Sequence, residues 1–160
     1  MSVQAVKEYL SRWNRQDDVM EFDVSSATVE LAAQAVGVIP ARIAKTLSLR
    51  DGEDGCLLLV TAGDARIDNK RFKAAFSQKA RMLSAEQAKA FTSHAVGGVC
   101  PFALAQPLPV YLDVSLKRFE TVFPACGSSN SAIELTPEEL RLYSDGQWVD
   151  VCKDWQSENA

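Results

Sequence analysis

Ile43-Ala44-Lys45-Thr46-Leu47-Ser48-Leu49, then the turn Asp51-Gly52-Glu53-Asp54-Gly55, then Cys56-Leu57-Leu58-Leu59-Val60-Thr61, reads as a central antiparallel hairpin. The second arm is a continuous apolar run, as expected of a strand covered on both faces, and the polar, glycine-containing turn joins it to the first. In the first arm, strand alternation puts Lys45 on the same face as Ile43, Leu47 and Leu49. An ammonium among aliphatic side chains costs free energy unless it reaches water or an anion. Lys45 therefore marks a pocket, and function is expected there.

Outward from the hairpin, Val3, Val6, Leu10 and Trp13 recur at helical spacing, predicting an amphipathic helix over 2–14. A short strand is expected over 19–24. Ser25-Ser26-Ala27-Thr28 offers N-caps for a helix that buries Val29, Ala32, Ala33 and Val36 and ends at Gly37. On the other side, Asp68 caps a helix burying Phe72, Ala75 and Phe76, and Ser84 with Gln87 forms a capping box for one burying Ala88 and Phe91. Residues 80–83 read as a short strand between those helices. Further strands are expected over 110–114, 121–125, 131–135 and 148–152. Thr136-Pro137-Glu138-Glu139 combines an N-cap, a proline at the first helical position and a reciprocal glutamate, so a helix runs to about Tyr143. This order of elements predicts one α+β domain over 1–160, with a mixed, mainly antiparallel sheet flanked by helices.

The 160 residues suffice for one full hydrophobic core, and 47% hydrophobic with 24% charged residues is an ordinary soluble composition. No apolar run reaches the roughly 20 residues of a membrane span, and Met1-Ser2-Val3-Gln4 does not begin like a signal peptide. A cytoplasmic protein is expected. Cys56, Cys100, Cys126 and Cys152 are widely spaced and His94 is the sole histidine, so no metal site is expected and the thiols read as free, small apolar residues. The net charge of −4 excludes a protein that grips nucleic acid with its whole surface. The stretch 66–81 nevertheless carries Arg66, Lys70, Arg71, Lys73, Lys79 and Arg81 against Asp68 alone, while 133–160 is strongly acidic. Such a stripe either locates a phosphate backbone or is a solvated helix face.

Two loops could hold a ligand. Gly97, Gly98, Val99, Cys100, Pro101 and Phe102 follow Val96, and the paired glycines permit close approach of a ligand while Pro101 stiffens the exit. Gly127, Ser128, Ser129 and Asn130 offer N–H groups and hydroxyls between two strands. Each alone is first an ordinary connection. His94 could activate Cys100 or Ser93, although a place at a helix C-terminus suits it better. No Gly-x-Ser-x-Gly, phosphate-binding loop or His-Glu metal motif occurs, so an enzyme of this sequence works by positioning and electrostatics.

Taken in order, the Lys45 strand, Gly63-Asp64-Ala65-Arg66-Ile67-Asp68, the Gly97-x-x-x-Pro101 loop and Cys126-Gly127-Ser128-Ser129-Asn130-Ser131-Ala132-Ile133-Glu134-Leu135-Thr136-Pro137 resemble the YbaK/ProX family of free-standing prolyl-tRNA-editing-type deacylases. The resemblance spans nearly the whole chain. It implies the fold of the editing domain of bacterial prolyl-tRNA synthetases and hydrolysis of the ester between a wrong amino acid and tRNA, without a cofactor. Lys45 would be the signature active-site residue, and the Gly97–Pro101 loop would surround the aminoacyl group, with Val99, Cys100 and Phe102 lining it. In this reading Lys70, Arg71 and Lys73 help dock the acceptor stem, the partners being aminoacyl-tRNA and a synthetase. Family members that remove cysteine usually carry an aspartate where this chain has Ala132. That departure sets alanine, serine, threonine or a small non-protein amino acid level with cysteine as the group removed. Two alternatives remain open: a non-catalytic module that binds tRNA or a synthetase, and an unrelated small-molecule binder.

Overall fold

A computed structural model describes residues 3–95 and 97–155, so Ser2 of the expected first helix and Val96 of the glycine loop lie outside the described residues. Along the described chain the elements are α1 (Val3–Leu10), β1 (Met20–Glu21), α2 (Val29–Val36), β2 (Ile43–Asp51), β3 (Gly55–Ala62), β4 (Arg66–Ile67), α3 (Asn69–Phe76), α4 (Ala85–Thr92), β5 (Val110–Asp113), β6 (Phe123–Pro124), β7 (Ser131–Ala132), α5 (Pro137–Ser144), β8 (Gln147–Val149) and β9 (Cys152–Lys153).

The hairpin stands at the centre. β2 and β3 pair antiparallel from Ala44 opposite Ala62 to Asp51 opposite Gly55. They belong to a five-stranded sheet of order β6-β2-β3-β5-β8. Every residue from Cys56 to Ala62 is buried, as the unbroken apolar run requires. The sheet is mixed: β2–β6, β3–β5 and β5–β8 are parallel, while antiparallel pairing resides in the long hairpin and in two short ribbons, β1–β7 and β4–β9. The core joins β3 and β5 to Val6, Leu10, Phe72, Phe102 and Leu140.

Helix ends sit where the sequence places them. Thr28, Asp68, Ser84 and Thr136 cap α2, α3, α4 and α5, the last two through complete capping boxes with Gln87 and Glu139. Each box satisfies two otherwise orphaned N–H groups. Gly37 ends α2 in the left-handed conformation (φ 77°). Trp13 closes a 3-10 turn after α1 and stacks on Tyr143 of α5 with ring centroids 4.5 Å apart.

Several boundaries differ from expectation. The strand expected over 19–24 shortens to Met20–Glu21, and beyond it Phe22 and Ser26 give their N–H groups to the carbonyls of Asn130 and Ser129 in the serine loop. The stretch 131–135 keeps Ser131–Ala132 as a strand and meets Val122 again at Leu135 through a single bridge. The strand expected over 148–152 divides into β8 and β9, since the buried Asp113 carboxylate draws the Val151 N–H out of register at 2.9 Å. Ala75 is exposed on α3, whose Phe72 and Phe76 face inward.

One feature of the sheet sets up the site. The outer edge of β2 is covered at one end by β6, beside Ile43 and Ala44, and at the other by residues 81–83. There Arg50 N–H donates to the Arg81 carbonyl at 2.8 Å and Leu83 N–H to the Ser48 carbonyl at 3.0 Å. Among the described residues no strand covers 45–47 between them.

Candidate active site

A cavity of about 290 Å³ fills that gap. Its floor is the edge of β2, from Ile43 to Ser48. Ser26 to Val29 at the start of α2 form one wall, Met82 to Ala85 the opposite one, and Gly97, Val99 and Ala132 close the end. A pocket does lie at Lys45, but only Ile43 and Lys45 of the expected face line it, because Leu49 is in the main core and Leu47 packs against that core. Thr46 and Ser48 line it beside Ile43 and Lys45, because a cavity at a strand's edge meets both faces of the strand.

Lys45 is half-buried and its Nζ donates to the Ala65 carbonyl at 2.9 Å. Burial lowers its pKa below the ordinary lysine value, and the charge of Arg66 adds to this, while Asp64 and Glu30 act in the opposite direction. Asp64 is fixed in place by two bonds from the Arg118 guanidinium, at 2.6 and 3.1 Å. The turn carrying these residues lies close under the 3-10 turn before β2: a Cβ on Gly63 would stand 2.1 Å from the Pro40 carbonyl oxygen. Lys45 thus lines the cavity as a half-buried cation with one backbone anchor and no direct carboxylate partner among the described ion pairs.

The two glycine-bearing loops pack on one another. Gly127 N–H donates to the Gly98 carbonyl at 3.1 Å, and a Cβ on Gly98 would lie 2.5 Å from the Ser128 nitrogen. Gly97, at φ 88°, abuts Ala27 and Ser129. Of the sequence-expected ligand residues, Gly97 and Val99 reach the cavity wall. Cys100 and Phe102 lie instead in the main core, where Phe102 stacks on Tyr9, and Pro101 is buried beside them. The serine loop also turns inward on itself. The Ser128 hydroxyl bonds Asn130 and Ser131, Asn130 Nδ2 donates to the Phe22 carbonyl, and the Ser129 carbonyl accepts the Ser26 N–H at 2.6 Å. Gly127, Ser128, Ser129 and Asn130 thereby hold the 22–26 segment against the cavity.

That segment and β2 each deliver a residue the sequence did not single out. The hydroxyls of Ser26 and Thr46 are buried on the cavity wall and have no hydrogen-bond partner among the described residues. An unmade hydrogen bond at a buried hydroxyl costs about 1–3 kcal/mol, and both oxygens are covered even from a water-sized probe, so a ligand meets them only when their side chains turn toward the cavity. Thr46 adjoins Lys45, a usable hint; Ser26 reads in sequence only as one of several N-cap candidates.

Residues 24–143 match the aminoacyl-tRNA editing domain family. The chain belongs to that family. An uncharacterized protein of Bacillus subtilis, YwhH, is 58% identical over 98% of this chain and all of its own length. EbsC of Enterococcus faecalis, provisionally named a Cys-tRNA(Pro)/Cys-tRNA(Cys) deacylase, is 26% identical over 91% of this chain and 84% of its own. A crystal structure provisionally described as a trans-editing enzyme for prolyl-tRNA synthetase superposes with a TM-score of 0.86 at 30% identity, covering 96% of this chain and 99% of that one. The fold is that of the aminoacyl-tRNA editing domain.

This editing domain holds its glycine loop with its single histidine. His94 follows Ser93, the left-handed cap of α4, and is buried. Its Nε2 lies 2.8 Å from the Phe102 carbonyl and 3.6 Å from Cys100 Sγ. The carbonyl contact requires a proton on Nε2, so that nitrogen is no base for the thiol. Burial raises the Cys100 pKa to about 12, which leaves no thiolate for nucleophilic work. Burial also lowers the His94 pKa below 6.5, partly offset by the Phe102 bond. The unfolded chain then binds a proton at pH values where the native chain does not. The stability contributed by neutral His94 is complete above about pH 6.5 and is lost as pH falls through its native pKa. The melting temperature is expected to drop as pH falls from about 7.5 to about 5.5. In His94→Gln, which keeps a donor for the Phe102 carbonyl, that slope should flatten; an equal slope in both proteins would remove His94 as its source.

The basic stripe is partly engaged. Arg71 donates to Asp150 at 3.0 Å and to the Cys152 carbonyl, while Lys70 and Lys73 are exposed on α3. Among the described residues no three of His, Cys, Asp and Glu converge as metal ligands, and no helix is long and apolar enough to cross a membrane.

Proposed function

We propose that this protein is a trans-acting aminoacyl-tRNA deacylase of the cytoplasm that hydrolyses the ester joining a small, wrongly attached amino acid to tRNA, with tRNA-Pro the first to test. The observation that carries this reading is the Lys45 cavity: a largely apolar pocket on the β2 edge, lined by a half-buried lysine and by Ser26 and Thr46. Its volume is at the low end of the roughly 300–1,000 Å³ of ligand pockets, so it admits an aminoacyl group and the edge of the terminal ribose. The relatives' descriptions point the same way.

In the reaction, water adds to the ester carbonyl carbon, the bond to the ribose oxygen breaks, and that oxygen takes a proton from the water. Lys45 orients the ester or its adjoining phosphate, and the main-chain N–H groups of Gly97 and Val99, the loop residues on the cavity wall, face the carbonyl as charge develops on its oxygen. The neighbouring ribose hydroxyl serves as the proton relay. Lys70, Arg71 and Lys73 assist in docking the acceptor stem, and a synthetase supplies further tRNA selectivity to a chain of net charge −4. Removal by a second site is needed where a synthetase pocket cannot reject a close analogue, since one methylene gives only about 10–200-fold discrimination.

Ala132 lines the cavity and offers no carboxylate there. Turned toward the cavity, the Ser26 and Thr46 hydroxyls favour an amino acid whose side chain can hydrogen-bond, serine or threonine, over alanine. Deacylation of tRNA-Pro charged with alanine, cysteine, serine, threonine or proline tests both points. In Ser26→Ala and Thr46→Val, kcat/KM for the serine and threonine species is expected to fall about tenfold relative to alanine, which is the effect of one lost hydrogen bond. The melting temperature should hold or rise, because each change removes an unsatisfied group. Equal losses on all species would show that the hydroxyls do not read the side chain.

A further inference from the structure

In the β4–β9 ribbon Arg66 stands directly opposite Lys153, and Ile67 opposite Cys152. Cys152 is buried, whereas Arg66 and Lys153 are both exposed, so the two cations share the outer face. Like charges directly opposite in an antiparallel pair are destabilising, and this ribbon is only two residue pairs long. The nearby carboxylates relieve the repulsion only in part: Asp68 attracts Lys153, but none of them forms an ion pair with either cation. Asp64 is held by Arg118, Asp68 accepts the Lys70 and Arg71 N–H groups at the start of α3, and Asp150 accepts Arg71. Asp154 makes no ion pair with either cation, and neither Arg66 nor Lys153 has an ion-pair partner among the described residues.

The ribbon adjoins Lys45, which lines the cavity. The carbonyl that anchors Lys45 Nζ belongs to Ala65, the residue before Arg66. We propose that Arg66 and Lys153 together clamp one backbone phosphate of the RNA end whose aminoacylated terminus enters the Lys45 cavity, an inference that rests on the deacylase reading above. A single anion between the two cations converts their repulsion into two attractions. Because both side chains are exposed, the clamp is reversible and salt-sensitive. The exposed Lys70 and Lys73 of α3, which follows β4 in the same basic stretch as Arg66, extend the contact beyond the clamped phosphate. Lys153 lies within the acidic C-terminal stretch, so charge along the sequence conceals it.

The test is steady-state deacylation of mischarged tRNA at several salt concentrations, together with direct tRNA binding. With both cations neutralised by Arg66→Gln and Lys153→Gln, KM is expected to rise about tenfold or more with kcat within about twofold, and the salt slope of binding to fall by about one to two. Lys153→Glu separates recognition from folding: it makes an opposite-charge pair with Arg66, so the melting temperature should rise while tRNA binding weakens. An unchanged KM and salt slope in the double variant, with hydrolysis still dependent on Lys45, overturns the clamp and leaves the deacylase standing. Wild-type protein that binds tRNA with a slope reduced in the double variant, yet hydrolyses no ester, overturns the deacylase and supports the clamp.

Discussion

Lys45→Ala lowers hydrolysis of a mischarged tRNA by about 10²–10³-fold, the range for removing one preorganised electrostatic contact to a developing charge, and leaves the protein folded. The ammonium is half-buried, anchored to the Ala65 carbonyl, and held by burial below its ordinary pKa. Between that lowered pKa and the unfolded value the unfolded chain binds the extra proton, so this side chain lowers native stability at neutral pH and the loss is relieved as pH rises. Its removal therefore should not unfold the domain. Lys45→Arg is no rescue, because a planar guanidinium cannot occupy the site of a compact ammonium. With spontaneous ester hydrolysis subtracted, the wild-type rate should fall on the alkaline side before the ordinary lysine value of 10.5 is reached. Circular dichroism and thermal melts beside the deacylation assay decide the matter. A folded Lys45→Ala protein with undiminished turnover would exclude the residue from the chemistry.

Gly98→Ala damages stability and activity together. The new methyl would meet the Ser128 nitrogen at 2.5 Å and the Gly127 carbonyl carbon at 2.7 Å, both main-chain atoms that no rotamer change can move aside. Relief requires the two loops to separate, breaking the bond from Gly127 N–H to the Gly98 carbonyl. Overpacking of this kind costs about 1–3 kcal/mol, occasionally more, or several degrees in melting temperature for a domain of this size. The same movement displaces Gly97 and Val99 from the cavity wall, so kcat/KM should fall further than the unfolded fraction accounts for. An alanine variant that melts normally would mean that the loops are free to part.

Much of the architecture was legible because its causes are local. The capping boxes of Ser84 and Thr136, the Asp68 cap and the Gly37 stop rest on contacts within four residues, and each was found where expected. The buried run 56–61 announced itself by unbroken hydrophobicity. Short strands were less legible. β1, β6, β7 and β9 are two residues each, and their limits follow from distant partners such as Asp113 and the serine loop rather than from their own composition.

At the site, the lysine out of place among aliphatic residues located the cavity, since an unpaired cation on a strand face is anomalous at the level of residue order alone. Side-chain direction within the loops was not available from that order. Cys100 and Phe102 share a loop with Gly97 and Val99, yet they turn into the core while their neighbours turn to the cavity, because the fit of that loop against Tyr9 and the serine loop decides each rotamer.

Alternation, capping and turn chemistry, all acting over a few residues, fix the hairpin, the five helices and the odd position of Lys45. The opening on the β2 edge between β6 and residues 81–83 comes from long-range pairing. So do the burial of the Ser26 and Thr46 hydroxyls on one wall and the meeting of Arg66 with Lys153 across a ribbon. Those arrangements join segments far apart in the chain, and their energies depend on how whole surfaces fit, which no short stretch of residues contains.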